Sequence, residues 1–171
     1  AEQTPSVKII PLGGLEQIGM NITAIEYEDT IVVIDCGLAF PEEDMLGIDL
    51  VIPDVSYLKE NIDKVKGLVV THGHEDHIGA IPYVEKEINI PIYATKLTMG
   101  LIDNKLREHN LLNNVKRKVV KHGQTINLGC FRIEFIRSNH SIPDSSGLAI
   151  YTPAGILVHT GDFKVDFTPV F

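Results

Sequence analysis

Covalent ties and membrane anchors are scarce in this 171-residue chain, which has two cysteines and no apolar run approaching the length of a membrane span. Cys36 and Cys130 lack zinc-type spacing, which argues against both a disulfide framework and a thiolate metal cage, and their strand-like surroundings predict buried thiols. The start Ala1-Glu2-Gln3-Thr4-Pro5 has no charged-then-apolar leader pattern, so the cytoplasm is the expected compartment and no membrane partner is expected. Positive charge is short as well: 15 Lys and Arg stand against 23 Asp and Glu, a formal net charge of -8, which works against drawing in nucleic acid through the overall field. Repeats and low-complexity segments are missing. Gly13, Gly14 and Gly19 do not have dinucleotide-loop spacing and precede a strand-like segment, so they read as a tight turn. What remains, at 44% hydrophobic residues, is enough for one substantial core and about one domain.

Against this background the run Thr71-His72-Gly73-His74-Glu75-Asp76-His77 stands out, because His72 to His77 places three imidazoles and the Asp76 carboxylate within six residues. Imidazole nitrogen and carboxylate oxygen are the donors that zinc and similar divalent metals prefer. The apolar Gly67-Leu68-Val69-Val70 before the run reads as a buried strand, and Ile78-Gly79-Ala80-Ile81-Pro82-Tyr83-Val84 after it reads as a helix start. The ligand-type residues therefore occupy a loop between strand and helix. Alternation of His72 and His74 about Gly73 sends both side chains the same way in an extended backbone, whereas Asp76 and His77, at the turn into the helix, point elsewhere. One loop can thus serve two metal positions; the competing reading is a solvated polar turn.

Two metals need more donors, and isolated ones stand at other strand ends. His140 follows Phe131-Arg132-Ile133-Glu134-Phe135-Ile136, Asp162 follows Gly155-Ile156-Leu157-Val158-His159, and Asp35 closes Thr30-Ile31-Val32-Val33-Ile34. Each is followed by turn chemistry, and each taken singly can be a turn cap. Ser141, Asp144 and Ser145 read as turn formers or hydrogen-bond partners of His140 or substrate. His109 and His122 read as exposed, and His159 as a neighbour of Asp162. Lys116-Arg117-Lys118 with Lys121-His122 is a basic stretch that can touch phosphates, though such a run is more often a solvated face.

The expected fold class is α/β. Strands near Val7 to Pro11, Met20 to Tyr27 and Thr30 to Asp35 form a meander turning at Glu28-Asp29, helices follow at Ile78 to Glu87 and Lys96 to His109, and strands return near Val115 to Val120, Phe131 to Ile136, Leu148 to Thr152 and Ile156 to His159. That order suggests two sheets with helices outside, an αββα sandwich with metals at one edge.

The pattern Asp35, His72-x-His74-x-Asp76-His77, His140, Asp162 resembles the metallo-beta-lactamase superfamily. The stretches Leu12-Gly13-Gly14-Leu15-Glu16-Gln17-Ile18-Gly19-Met20-Asn21, Phe40-Pro41-Glu42-Glu43-Asp44-Met45-Leu46-Gly47-Ile48-Asp49, Asn139-His140-Ser141-Ile142-Pro143-Asp144-Ser145 and His159-Thr160-Gly161-Asp162-Phe163-Lys164-Val165-Asp166 resemble, more narrowly, the ribonuclease J family of beta-CASP nucleases. That resemblance implies two zinc ions per active site, with manganese as an alternative. His72, His74 and His140 would hold one ion, Asp76 and His77 the other, and Asp162 would bridge them. Asp35 would orient ligands, and Asp76 would take a hydrogen bond from a hydroxide shared by the metals. It implies 5'-to-3' exonuclease action on 5'-monophosphorylated RNA, endonucleolytic cuts at the same site, a role in RNA maturation including that of ribosomal RNA, and RNA decay. A homodimer or homotetramer and an RNA-degradation complex are further implications. It also implies a distal zinc ligand beyond an inserted beta-CASP domain, so the 171 residues are read as the N-terminal part of the metallo-beta-lactamase domain, incomplete at its C-terminus, with the beta-CASP and C-terminal domains absent and the piece inactive alone. The alternatives are a metallo-hydrolase of esters, thioesters or lactams, and a non-enzymatic scaffold module.

Overall fold

The computed structural model describes residues 6–12, 22–37, 54–73, 75–137 and 146–159, residues 75 and 76 by their backbone alone. Its strands are β1 (Lys8–Pro11), β2 (Thr23–Tyr27), β3 (Thr30–Ile34), β4 (Val65–Val69), β5 (Ile92–Ala94), β6 (Arg117–Val119), β7 (Thr125–Leu128), β8 (Phe131–Arg137), β9 (Ser146–Thr152) and β10 (Gly155–His159). Its helices are α1 (Ser56–Glu60), α2 (Glu75–Ile78), α3 (Ile81–Glu87) and α4 (Lys96–Glu108), with a 3-10 turn at Ile62–Lys64.

Six strands form one sheet in the order β1-β2-β3-β4-β5-β6, and four form a second in the order β10-β9-β8-β7. The first three pair antiparallel, as the meander requires: Tyr27 faces Thr30, and Glu28 takes a left-handed φ of 51° in the two-residue turn. From β3 to β6 every pairing is parallel. Parallel strands need crossovers, and α1, α3 and α4 lie between successive strands of this half. The second sheet is antiparallel throughout.

Side-chain alternation assigns each residue to a layer. Ile31 and Val33 of β3 join Leu68 and Val70 in the core beneath the helices, whereas Val32 and Ile34 join Val69, Phe131, Ile133, Phe135, Leu148 and Ile150 in the core between the sheets. A strand buried on both faces needs an unbroken apolar run, which explains Thr30-Ile31-Val32-Val33-Ile34. β8 has one buried face, so Phe131, Ile133 and Phe135 alternate with Arg132, Glu134 and Ile136. On α4, Met99, Ile102 and Leu106 recur at helical spacing and face the first core. Each such buried side chain contributes about 1.5–3 kcal/mol relative to exposure.

Several boundaries differ from the sequence expectation. The single helix expected over Ile78 to Glu87 is two, because Cys36 N–H donates to the His77 carbonyl at 2.7 Å and the Cys36 carbonyl accepts from Ala80 N–H at 3.0 Å. Pro82, which has no N–H to donate, then sits in the first turn of α3. The short elements α1, β5 and β7 were not anticipated; three to five residues carry too little periodicity to announce themselves. Cys130 is exposed rather than buried, since it lies on the tight turn between β7 and β8 where Gly129 has φ 61°. Cys36 is buried, and both thiols are free. Among the described residues no helix is long and apolar enough to cross a membrane.

Candidate metal centre

The parallel strands β3 and β4 end side by side, and their last rung is Asp35 N–H to the Val69 carbonyl at 2.8 Å. Asp35 then turns left-handed, with φ 61°, a conformation that Asp adopts more readily than most residues. The turn brings its carboxylate to Thr71, just past the end of β4. Oδ1 accepts Thr71 N–H at 2.7 Å, and Oδ2 accepts the Thr71 hydroxyl at 2.7 Å. His77 Nδ1 lies 2.9 Å from the same Oδ2. All three residues are buried: Asp35 at 2% exposure, Thr71 at 0% and His77 at 8%.

These contacts fix protons as well as positions. A hydroxyl has one proton, and Thr71 gives its proton to Asp35, so the 2.8 Å contact from Thr71 Oγ1 to His72 Nδ1 has His72 as the donor. His77 Nδ1 faces a carboxylate and is a donor for the same reason. A neutral imidazole that donates from Nδ1 carries its lone pair on Nε2, the form in which histidine binds metal. Among the described residues, Asp35, His72 and His77 have ligand-type atoms all within 4.8 Å of one another, and the rings of His72 and His77 have centroids 4.5 Å apart. Asp35 is better suited to hold the imidazoles than to bind an ion itself, because both its oxygens already accept protein donors.

The remaining side chains confine this chemistry. Burial pushes the Cys36 thiol well above its ordinary pKa, and the charges of Glu85 and Asp35 push the same way. Glu85, 4% exposed on α3, accepts Ile90 N–H through Oε2 at 3.0 Å, while its buried Oε1 has no hydrogen-bond partner among the described residues. Burial raises its pKa to about 8 against the opposing effect of the Ile90 bond.

Of the sequence-predicted site residues, the structure brings together Asp35, His72 and His77. The Asp76 backbone lies in α2. His74, the Asp76 side chain, His140 and Asp162, with Ser141, Asp144 and Ser145, lie outside the described residues. Sequence reasoning alone gives Thr71 no role, although its place between a buried strand and the first histidine is the available signal. His122, expected to be exposed, is partly buried with Nε2 at 2.9 Å from Ser146 Oγ. His109 packs edge-on to Tyr83, and His159 is buried at the end of β10. Along β6, Arg117, Lys118 and Val119 are all exposed, and Arg117 pairs with Asp103.

Fold and site together are those of a two-sheet α/β domain with a candidate metal centre at the ends of β3 and β4. A family model of the metallo-beta-lactamase superfamily matches residues 18–166, and the chain belongs to that superfamily. The metallo-beta-lactamase fold protein YhfI of Bacillus subtilis has the same fold, with a TM-score of 0.63 at 16% identity over 96% of this chain and 65% of that one. Within the superfamily the likeness is to ribonuclease J. The chain is 51% identical over 170 residues to Ribonuclease J of Synechocystis sp., covering 98% of this chain and 27% of that protein. It is 52% identical over 166 residues to Ribonuclease J of Helicobacter pylori, covering 96% of this chain and 24% of that protein. The chain therefore spans about a quarter of the length of these relatives.

Proposed function

We propose that this chain supplies most of the metal centre of a ribonuclease that hydrolyses RNA phosphodiesters. The observation that carries the metal centre is the Asp35 carboxylate, which with Thr71 holds His72 and His77 in the one tautomer that offers Nε2 to a metal. RNA as substrate is supported by the likeness to the two ribonuclease J proteins.

In this reading His72, His74 and His140 would hold one zinc, Asp76 and His77 would hold a second, and Asp162 would be a ligand to both. The chemistry such a bound zinc would supply is a lowered water pKa and an offset to negative charge on the phosphodiester. The chain's own groups do the rest. Asp35 keeps both imidazoles oriented, Asp76 accepts a hydrogen bond from the attacking water and aims it, and no nucleophilic side chain is required. The activity is 5'-to-3' exonucleolytic on 5'-monophosphorylated RNA, with endonucleolytic cuts at the same centre, in a cytoplasmic homodimer or homotetramer.

The formal charge of -8 would suit a hydrolase of esters, thioesters or lactams equally well, so the test compares substrates. The full gene product is assayed on RNA, a phenyl ester, a thioester and a lactam, before and after zinc removal by a chelator and its restoration. RNA cleavage that disappears on chelation and returns with zinc is expected, without turnover of the other three. Turnover of an ester, thioester or lactam with RNA left intact would replace this reading.

A further inference from the structure

The hydrogen bonds around Thr71 continue past the residues already described. The Thr71 carbonyl accepts Ser146 N–H at 3.0 Å, and Ser146 Oγ in turn lies 2.9 Å from His122 Nε2. Ser146 is 1% exposed and opens β9, directly after the segment 138–145 that contains His140. His122 comes from the turn between β6 and β7, where the chain leaves the first sheet for the second. A continuous path thus runs from His122 through Ser146 to Thr71, whose hydroxyl touches both Asp35 and His72.

We infer that His122 is a positioning residue of the metal centre: through Ser146 it holds the start of β9 against Thr71. The physical reason is that Ser146 opens a strand of the second sheet while bonding to the loop that follows β4 of the first. Its N–H is committed to the first sheet's loop. Its hydroxyl would be a buried polar group needing a partner, and His122 is that partner. Without His122, the Ser146 hydroxyl turns to find another bond, and the backbone rung to Thr71 loosens with it. Thr71 is the residue that sets the His72 ring, so the loss reaches the metal although His122 contacts neither His72 nor His77. Partners one step removed from metal ligands commonly change metal affinity in this manner.

This inference rests on the metal-centre reading, so its test reads metal directly. Zinc affinity is measured by competition with a chromogenic chelator, and the visible spectrum of the Co2+ form is recorded, for the full gene product and its His122→Ala, His122→Gln, Ser146→Ala and His122→Ala/Ser146→Ala variants. His122→Ala and Ser146→Ala are each expected to weaken zinc binding roughly 3–10-fold and to alter the Co2+ spectrum, with apo-protein Tm within about 2 °C of wild type. Gln offers an amide where Nε2 lies, so His122→Gln is expected to restore the wild-type affinity and spectrum. The double variant is expected to be no worse than either single one, since both remove the same link. Wild-type zinc affinity and spectrum in His122→Ala, or losses that add in the double variant, would overturn the role of His122 alone. A wild type that takes up no zinc would overturn the metal centre as well.

Discussion

In Asp35→Asn, zinc affinity is expected to fall about 10–100-fold, and RNA cleavage with it, while the fold persists. Asn matches Asp in shape and also tolerates the left-handed backbone at φ 61°. Its carbonyl oxygen can still accept Thr71 N–H, as Oδ1 does at 2.7 Å. The amide nitrogen must then occupy the place of Oδ2, where it presents protons to the Thr71 hydroxyl and to His77 Nδ1. His77 can meet that donor only by moving its own proton to Nε2, which removes the lone pair a metal needs. The same reversal at Thr71 frees its hydroxyl proton to point at His72 Nδ1 and drives the second ring to the same wrong tautomer. Asp35→Ala should cost stability as well, because it leaves buried donors on Thr71 and His77 unpaired at about 1–3 kcal/mol each. Zinc titration and thermal unfolding of both variants check this; an Asp35→Asn protein with unaltered zinc affinity would mean that the carboxylate does not set the tautomers.

The second large effect concerns pH. Glu85 has its pKa raised by burial from 4.5 to about 8, so the folded state holds its proton over a range where the unfolded chain has released it. The resulting stabilisation is fully present below about pH 4.5 and is lost as pH rises through about 8. Across that window the shift corresponds to on the order of 4 kcal/mol. Glu85→Gln removes the titration while keeping a carbonyl for the Ile90 N–H. Urea unfolding of wild type and Glu85→Gln at pH 5 and pH 8.5 should therefore show the wild type losing stability relative to the variant by about that amount. A constant difference at the two pH values would show that Glu85 ionises alike in both states.

Much of the architecture was legible because burial writes a pattern. The doubly buried β3 required five residues with no break for solvent, and the one-sided β8 required alternation. The metal loop announced itself through residue types that have few other reasons to cluster. Geometry that depends on a single backbone bond was not legible. Nothing in the sequence shows that the Cys36 backbone would clasp His77 and Ala80 and break a helix, or that the left-handed turn at Asp35 would point its carboxylate at Thr71. His122 was misread for a similar reason. Its neighbours in sequence, Lys121 and Gly123, are exposed, and its partner Ser146 is 24 residues away across the sandwich. The parallel half of the first sheet was also hidden, since the three-residue β5 is too short to show as a strand between its helices.

The proposal that His77 is a metal ligand of a ribonuclease is tested most directly by degradation of a single labelled RNA, prepared with a 5' monophosphate or a 5' triphosphate, by the zinc-loaded full gene product and by its His77→Ala variant. Preferential degradation of the monophosphorylated RNA by the wild type, abolished in His77→Ala, is the predicted result. Equal degradation by wild type and His77→Ala, or two intact RNAs with zinc-loaded wild type, would contradict it.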